Sequence, residues 1–122
     1  MPEKRPHVPM QIAPLHEAIG FDDTVEFLLE FGGARLYIPK KPTSKNEIAR
    51  HFGLEKAHAI AKVADRLPTS IPTAKPFIAA ALAYKGYPIS RIARKLHMSE
   101  NTIARYLGRQ KKREFPQRDL FD

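Results

Sequence analysis

The sequence predicts a mainly α-helical protein, in which a helical N-terminal region with short β-strands precedes a C-terminal helix-turn-helix domain. Apolar residues recur at helical spacing in several segments, and glycines and prolines separate these segments. Residues 89–108 have the pattern of two short helices joined by a tight turn. The predicted divisions are an extended arm at 1–14, a helical and short-strand region at 15–73, a helix-turn-helix domain at 74–110 and a tail at 111–122.

The composition predicts a soluble, basic protein of the cytoplasm. The 122 residues carry a formal net charge of +8 and contain no cysteine, which excludes disulfides and Cys-built zinc sites. Residues 77–122 hold 10 Lys and Arg against 4 Asp and Glu, so a polyanion would meet this part first. No apolar run approaches the roughly 20 residues of a membrane helix, and prolines replace the apolar core of a signal peptide.

The N-terminal region begins with four prolines, which favour an extended arm over residues 1–14. A short helix is predicted at about 15–19, ended by Gly20, and Asp22 or Asp23 can cap a second helix. The apolar residues of the second helix share one face and are expected to be buried. They are Phe21, Val25, Leu28 and Leu29.

A glycine pair and a β-type segment follow this helix. Gly32 and Gly33 end it after Phe31, because glycine tolerates the left-handed conformation of a helix C-terminus. The next segment, RLYI at 35–38, is short, β-branched and aromatic, as expected of a strand, and Pro39 closes it.

The next segment repeats this order of helix, glycine, helix and strand. Ser44 and Glu47 form a capping-box pattern that opens a helix, and Gly53 ends it. A further helix carries apolar residues at helical spacing and ends before Pro68, and a second short strand, TSIP, follows at 69–72.

The order of helix, glycine, helix and strand recurs after a constant offset of 33 residues, which predicts a two-fold internal repeat. Gly20 and Gly53 are separated by this offset, and so are Ile38-Pro39 and Ile71-Pro72. Each repeat would be a helix–glycine–helix–strand unit. Since an isolated strand is unstable, the two strands are expected to find partners.

The C-terminal block begins with Pro76, which suits the first turn of a helix over 77–84 that Gly86 ends. The stretch ISRIARKLHMSENTIARYLG then predicts a helix to about Leu96, a turn at 97–99 and a second helix capped by Ser99. His97 occupies the turn position where glycine is usual, at a cost on the order of 1 kcal/mol.

The residues of this motif suit two helices that cross at a steep angle. Ala93 is the small residue that such a crossing needs. An inward-facing apolar wedge would hold the angle. Its members are Ile92, Leu96, Met98, Ile103, Tyr106 and Leu107.

Polar residues at the start of the second helix predict sequence-specific binding to double-stranded DNA. Arg can bridge guanine and Asn can bridge adenine in the major groove, each worth about 1–3 kcal/mol of discrimination. The predicted base-reading residues are Ser99, Glu100, Asn101, Thr102 and Arg105. Flanking cations are expected to hold phosphates. They are Arg91, Arg94, Lys95, Arg109, Lys111, Lys112 and Arg113.

The segment FGGARLYIPK, at 31–40, resembles the signature of the Mor/C family of phage transcription activators. The resemblance implies a homodimer in which strands of two subunits pair, DNA binding by a C-terminal helix-turn-helix, and recruitment of RNA polymerase. It assigns Gly32 and Gly33 to a flexible turn and Lys40 and Lys41 to the vicinity of DNA. It also assigns four residues to the pairing strand: Leu36, Tyr37, Ile38 and Pro39.

The spacing differs from the family, because some 35 residues separate Pro39 from Pro76. Two arrangements follow. Either RLYI pairs with TSIP within one chain, making an internal pseudo-dimer, or both segments take part in an intertwined dimer.

The leading hypothesis is a Mor-like, DNA-binding transcription regulator of a phage, prophage or mobile element. An acidic set on the second helix is a candidate contact with RNA polymerase: Asp22, Asp23, Glu26 and Glu30. The alternatives are a helix-turn-helix protein-interaction module, antitoxin-like or phage inhibitory, and a DNA-binding adaptor for recombination or packaging. No enzyme, catalytic residue, metal or cofactor is expected, because the five His lack metal-ligand spacing and no Gly-rich phosphate loop occurs.

Overall fold

The fold is mainly α-helical, which confirms the predicted class. The computed structural model describes residues 5–114, with side chains as far as Gly108. This part of the chain contains six α-helices: α1 (Ala13–Phe31), α2 (Glu47–Phe52), α3 (Leu54–Val63), α4 (Lys75–Tyr84), α5 (Ile89–Leu96) and α6 (Glu100–Glu114). Two short 3-10 helices, Met10–Ile12 and Ala64–Arg66, precede α1 and follow α3.

The helices pack as two compact units. The N-terminal unit is Val8–Thr73, and the C-terminal unit contains α4, α5 and α6 together with residues 5–7. In the N-terminal unit α3 packs on both α1 and α2, whereas in the C-terminal unit the three helices pack on one another. Each unit has its own apolar core. The largest buried side chains are Ile12, Leu15, Phe27, Ile48 and Ile60 in the first, and Ile78, Ile92 and Ile103 in the second.

The extended arm predicted over residues 1–14 is wrong from Met10 onward. Met10–Ile12 forms a 3-10 helix and Ala13 begins α1. Pro14 is tolerated because it lies in the first turn, where the backbone N–H has no partner within the helix. Ile12 and Leu15 are each only 1% exposed, so this segment is part of the core.

Gly20 interrupts α1, as the sequence predicts. Its backbone, at φ 86° and ψ 175°, leaves the helical region, and two helical halves meet there at a kink. The hydroxyl of Thr24, which is fully buried, donates a 2.6 Å hydrogen bond to the Gly20 carbonyl and so satisfies it. Asp23 forms an ion pair with Lys56 of α3.

The capping residue of α2 is Asn46 rather than the predicted Ser44. The Asn46 side chain accepts a 3.0 Å hydrogen bond from the backbone N–H of Ile48. Gly53, at φ 94° and ψ 156°, ends α2 in the same backbone conformation that Gly20 adopts in α1. The following helix ends at Val63, earlier than predicted.

The predicted strands at 35–38 and 69–72 are wrong as strands, but the two segments do meet within one chain. In the described residues their pairing is limited to an isolated antiparallel bridge between Arg35 and Ser70. Beside it, Gly33 N–H donates to the Ile71 carbonyl (2.7 Å), and Ile71 N–H donates to the Ala34 carbonyl (2.9 Å). The register is lost on one side of the bridge because Ala34 N–H, which a ladder would direct to Ile71, donates to the Phe31 carbonyl instead (3.0 Å).

Gly32 lies where the backbone leaves α1 and passes the second segment. A Cβ at this position would lie 2.5 Å from the Leu28 carbonyl oxygen and 3.2 Å from the Pro72 carbonyl oxygen. Gly33 has φ 87°, a conformation that side chains disfavour. Close packing therefore requires glycine at position 32, and the backbone conformation favours glycine at position 33.

We expect Gly32→Ala to lower the free energy of unfolding by about 1–3 kcal/mol, because both crowding atoms belong to the backbone. Urea unfolding of the full chain measures the change. Gly108→Ala is the control, since that site in α6 has no atom within 4 Å of the added Cβ. It should leave stability unchanged or raise it by up to about 1 kcal/mol. Equal stability of Gly32→Ala and the unaltered protein would contradict the packing described.

Candidate nucleic-acid interface

Helix α4 is the central element of the C-terminal unit. Six consecutive residues, 77–82, are buried, so the helix is apolar on all sides and supports both α5 and α6. Pro76 lies in its first turn and Gly86, at φ 99°, follows its end, as the sequence predicts.

The two helices that follow have the predicted bounds, with α5 ending at Leu96 and α6 beginning at Glu100. His97 has φ 57° and ψ 46°, so it adopts the left-handed conformation that glycine usually supplies. The hydroxyl of Ser99 accepts a 3.2 Å hydrogen bond from Thr102 N–H, which confirms Ser99 as the cap of α6.

The predicted apolar wedge lies between these helices. Ile92 and Ile103 are fully buried, Leu96 is nearly so, and Ala93 is the small buried residue near the turn. The other members, Met98, Tyr106 and Leu107, are half-buried. The wedge fixes which face of α6 points outward.

That outward face carries the predicted base-reading residues. Ser99, Glu100, Asn101 and Arg105 are exposed, and Thr102 is half-buried. Two small exposed residues, Ala104 and Gly108, continue the face and were not predicted as site residues. Their spacing of four and eight residues from Glu100 is the sequence signal that identifies them. Small residues here would let the α6 backbone approach a flat partner closely.

Three polar side chains of this face are linked by hydrogen bonds. The Ser99 and Thr102 hydroxyl oxygens are 2.9 Å apart, and Arg105 Nη2 donates to the Thr102 hydroxyl at 3.4 Å. This chain of contacts holds the Arg105 guanidinium along the first turns of α6, and Asn101 is exposed one helical turn earlier. The face therefore presents a cation and an amide together.

The predicted phosphate contacts of α5 are exposed at its surface: Arg91, Arg94 and Lys95. The Arg91 guanidinium lies 4.7 Å from the centre of the Tyr87 ring, which restrains it by a cation–π contact. An open cleft between α5 and α6 is lined by Arg94, His97, Ser99 and Glu100 together with Ser90, Ala93 and Met98.

The other predicted phosphate contacts lie either beyond the described side chains or in the N-terminal unit. The backbone of α6 runs through Arg109, Lys111, Lys112 and Arg113, but their side chains lie outside the described residues. Lys40 and Lys41 are exposed and belong to the N-terminal unit. The tail predicted at 111–122 lies outside the described residues beyond Glu114.

Two other kinds of feature are absent from the described part of the chain. It has no group of three or more His, Asp or Glu side chains that could hold a metal ion. None of its helices combines the length and the hydropathy that a bilayer crossing requires.

We expect His97→Gly to raise the free energy of unfolding by up to about 1 kcal/mol, because glycine relieves the left-handed strain of this turn. Lys95→Gly is the control, an exposed helical position in α5 where glycine should cost about 1 kcal/mol. Thermal unfolding of both variants measures the difference. A loss of stability in His97→Gly as large as that in Lys95→Gly would contradict the strain.

Comparison with known proteins places one match on this unit. Residues 78–117 match a family model described as "Putative ATPase subunit of terminase (gpP-like)". The match begins in α4, includes α5 and α6, and covers about a third of the chain. No curated protein and no solved structure matches the chain.

Proposed function

We propose that the C-terminal unit binds double-stranded DNA, with the exposed face of α6 in the major groove, and that the protein is a DNA-recognition component of phage DNA packaging. The observation that carries the proposal is that Asn101 and Arg105 are both exposed, one helical turn apart, on a helix capped by Ser99. These residue types match the edges of adenine and guanine.

The cations of α5 give this face a means of holding the DNA backbone. Arg91, Arg94 and Lys95 are exposed on the helix that precedes the recognition helix. Phosphate contacts of this kind position a protein on the duplex without reading its sequence. The α5 cations and the base-reading residues of α6 lie on different helices, so their contributions can be tested separately.

The packaging role is supported by the terminase family model, whose match lies on α4–α6. The chain has no G-x-x-x-x-G-K-[ST] sequence for cradling nucleotide phosphates. We therefore assign the chain DNA recognition and not ATP hydrolysis. In this role it would act as an adaptor that brings the packaging machinery to a particular DNA sequence.

A second candidate function is a Mor-like activator of transcription, favoured by the segment 31–40. An acidic surface lies on α1, where Asp22, Glu26 and Glu30 are exposed. In this case RNA polymerase would contact the acidic surface. Charge reversal at Glu26 and Glu30 should then abolish activation and spare DNA binding.

The two roles are distinguished in cells that carry the gene within a phage or prophage. DNA crosslinked to the full chain would be sequenced, and transcripts and filled particles would be measured after deletion of the gene. A packaging adaptor should occupy one locus, and its loss should leave empty particles with transcripts unchanged. Loss of transcripts from genes next to the occupied site would favour the activator. If the chain occupies no locus, both roles are wrong and a protein-interaction module is favoured.

A further inference from the structure

The N-terminal unit contains two repeats that share a backbone turn and part of their core. Gly20 and Gly53 have a positive φ and an extended ψ, each between two helical segments. Two pairs of side chains at the offset of 33 residues are buried alike: Leu15 and Ile48 are each 1% exposed, and Phe27 and Ile60 are fully buried. Other pairs differ, since Phe21 and Val25 are buried whereas Leu54 and His58 are exposed.

The two repeats face each other across a pseudo-two-fold axis. Asp23 and Lys56, which form an ion pair, are equivalent residues, being 33 positions apart. In a two-fold arrangement a residue can contact its own equivalent only beside the axis. The contact between α1 and α3 is therefore an axial contact between the two repeats.

The bridge between the two segments has a register that fits the same axis. Arg35 pairs with Ser70, and extending this antiparallel register would set Leu36 opposite Thr69, its equivalent at the offset of 33. The hydrogen bonds beside the bridge lie on one side of it, at Gly33, Ala34 and Ile71, so the contact itself is not symmetric. Leu36 and Thr69 line the same groove.

From this closed arrangement we infer that the protein binds DNA as a single copy, on an asymmetric site that has no two-fold symmetry. This rests on the proposed function. Helix-turn-helix dimers read palindromes because the protein axis coincides with the axis of the DNA. Here the axis relates two repeats of one chain, whereas α4–α6 follows both repeats and occurs once. One molecule therefore presents one recognition helix.

The inference is tested by the stoichiometry of the full chain on three duplexes. They carry the sequence recovered from a randomised pool once, twice as an inverted repeat, and twice as a direct repeat, with centres about 10 base pairs apart. We expect a free mass near 13.9 kDa, one chain per single site and equal affinity per site in both repeats. A free dimer, or at least tenfold tighter binding to the inverted repeat alone, would overturn the inference.

A covalent probe tests the internal pairing directly. Because the chain has no cysteine, Arg35→Cys with Ser70→Cys introduces its only two thiols, at exposed positions that face each other across the bridge. Mild oxidation should give a monomer with an internal disulfide that still binds the single-site duplex. A disulfide-linked dimer, or no disulfide, would overturn the inference. Arg35→Cys alone is the control.

A failure of the proposed function and a failure of the single-copy inference give different results. A protein that binds none of the duplexes overturns the proposed function, and the inference with it. A protein that binds the inverted repeat as a cooperative pair keeps the proposed function and overturns only the single-copy inference.

Discussion

Arg105→Ala is expected to weaken binding to the preferred duplex by about 5- to 150-fold, which corresponds to about 1–3 kcal/mol. Arg105 is exposed on α6, and its guanidinium is held by the Thr102 hydroxyl. A bidentate contact to guanine would be lost with the side chain. Affinity for a scrambled duplex should change much less, since only one charge is removed. Fluorescence anisotropy on both duplexes measures the two effects.

Arg105→Lys is the matched control, because it keeps the charge and removes the planar fork. It should restore most of the affinity for the scrambled duplex but little of the discrimination between the two. If Arg105→Ala weakens both duplexes equally, Arg105 holds phosphate and does not read a base.

Removing the cations of α5 is expected to have the largest effect on overall affinity. The triple variant Arg91→Ala, Arg94→Ala and Lys95→Ala should bind preferred and scrambled duplexes more weakly, on the order of 100-fold at 0.15 M salt. The slope of log affinity against log salt should become shallower by up to about 2.7, since each phosphate contact contributes about 0.9. Titrations over a range of salt concentrations measure the slope.

The N-terminal unit offers a control with the same change of charge. Lys45, Arg50 and Lys62 are exposed there, outside the proposed interface. Their replacement by alanine should alter the slope much less than the α5 triple variant does. Equal changes from the two triple variants would show that net charge, and not the surface of α5, attracts the DNA.

The C-terminal unit could be predicted closely because each helix boundary is marked by a residue with a strong local preference. Pro76 suits a first helical turn, Gly86 suits a helix end, and Ser99 suits a cap. The alternation of buried and exposed positions in α6 also follows from helical spacing. The restraint of Arg91 by the Tyr87 ring was not predicted, because it depends on how the loop before α5 folds back.

The N-terminal unit was predicted less well, because tertiary contacts decide between local alternatives. Ser44 and Asn46 are both good helix caps. The cap of α2 is Asn46, whose side chain accepts a hydrogen bond from Ile48 N–H, and the Ile48 side chain is buried. The segment at 35–38 has β-type residues, yet its pairing stops at one bridge. Local pattern identifies such a segment as extended, but the length of its ladder depends on where neighbouring backbone groups donate, as Ala34 N–H does to the Phe31 carbonyl.

The internal repeat has a weak signal in the sequence and a clearer one in the structure. Few identities support the offset of 33 residues, since glycine, isoleucine and proline alone recur. The matching conformations of Gly20 and Gly53 and the ion pair between Asp23 and Lys56 supply the missing evidence. The backbone conformation that recurs is at a glycine that both repeats contain.

The central claim, that the exposed face of α6 reads a DNA sequence, is tested most directly by selecting randomised duplexes with the purified full chain. Selection at about 0.15 M salt screens weak phosphate binding. We predict enrichment of one sequence motif, which Arg105→Ala changes at a single base position. Recovery of the unselected pool, or of a motif that Arg105→Ala leaves unaltered, would contradict the claim.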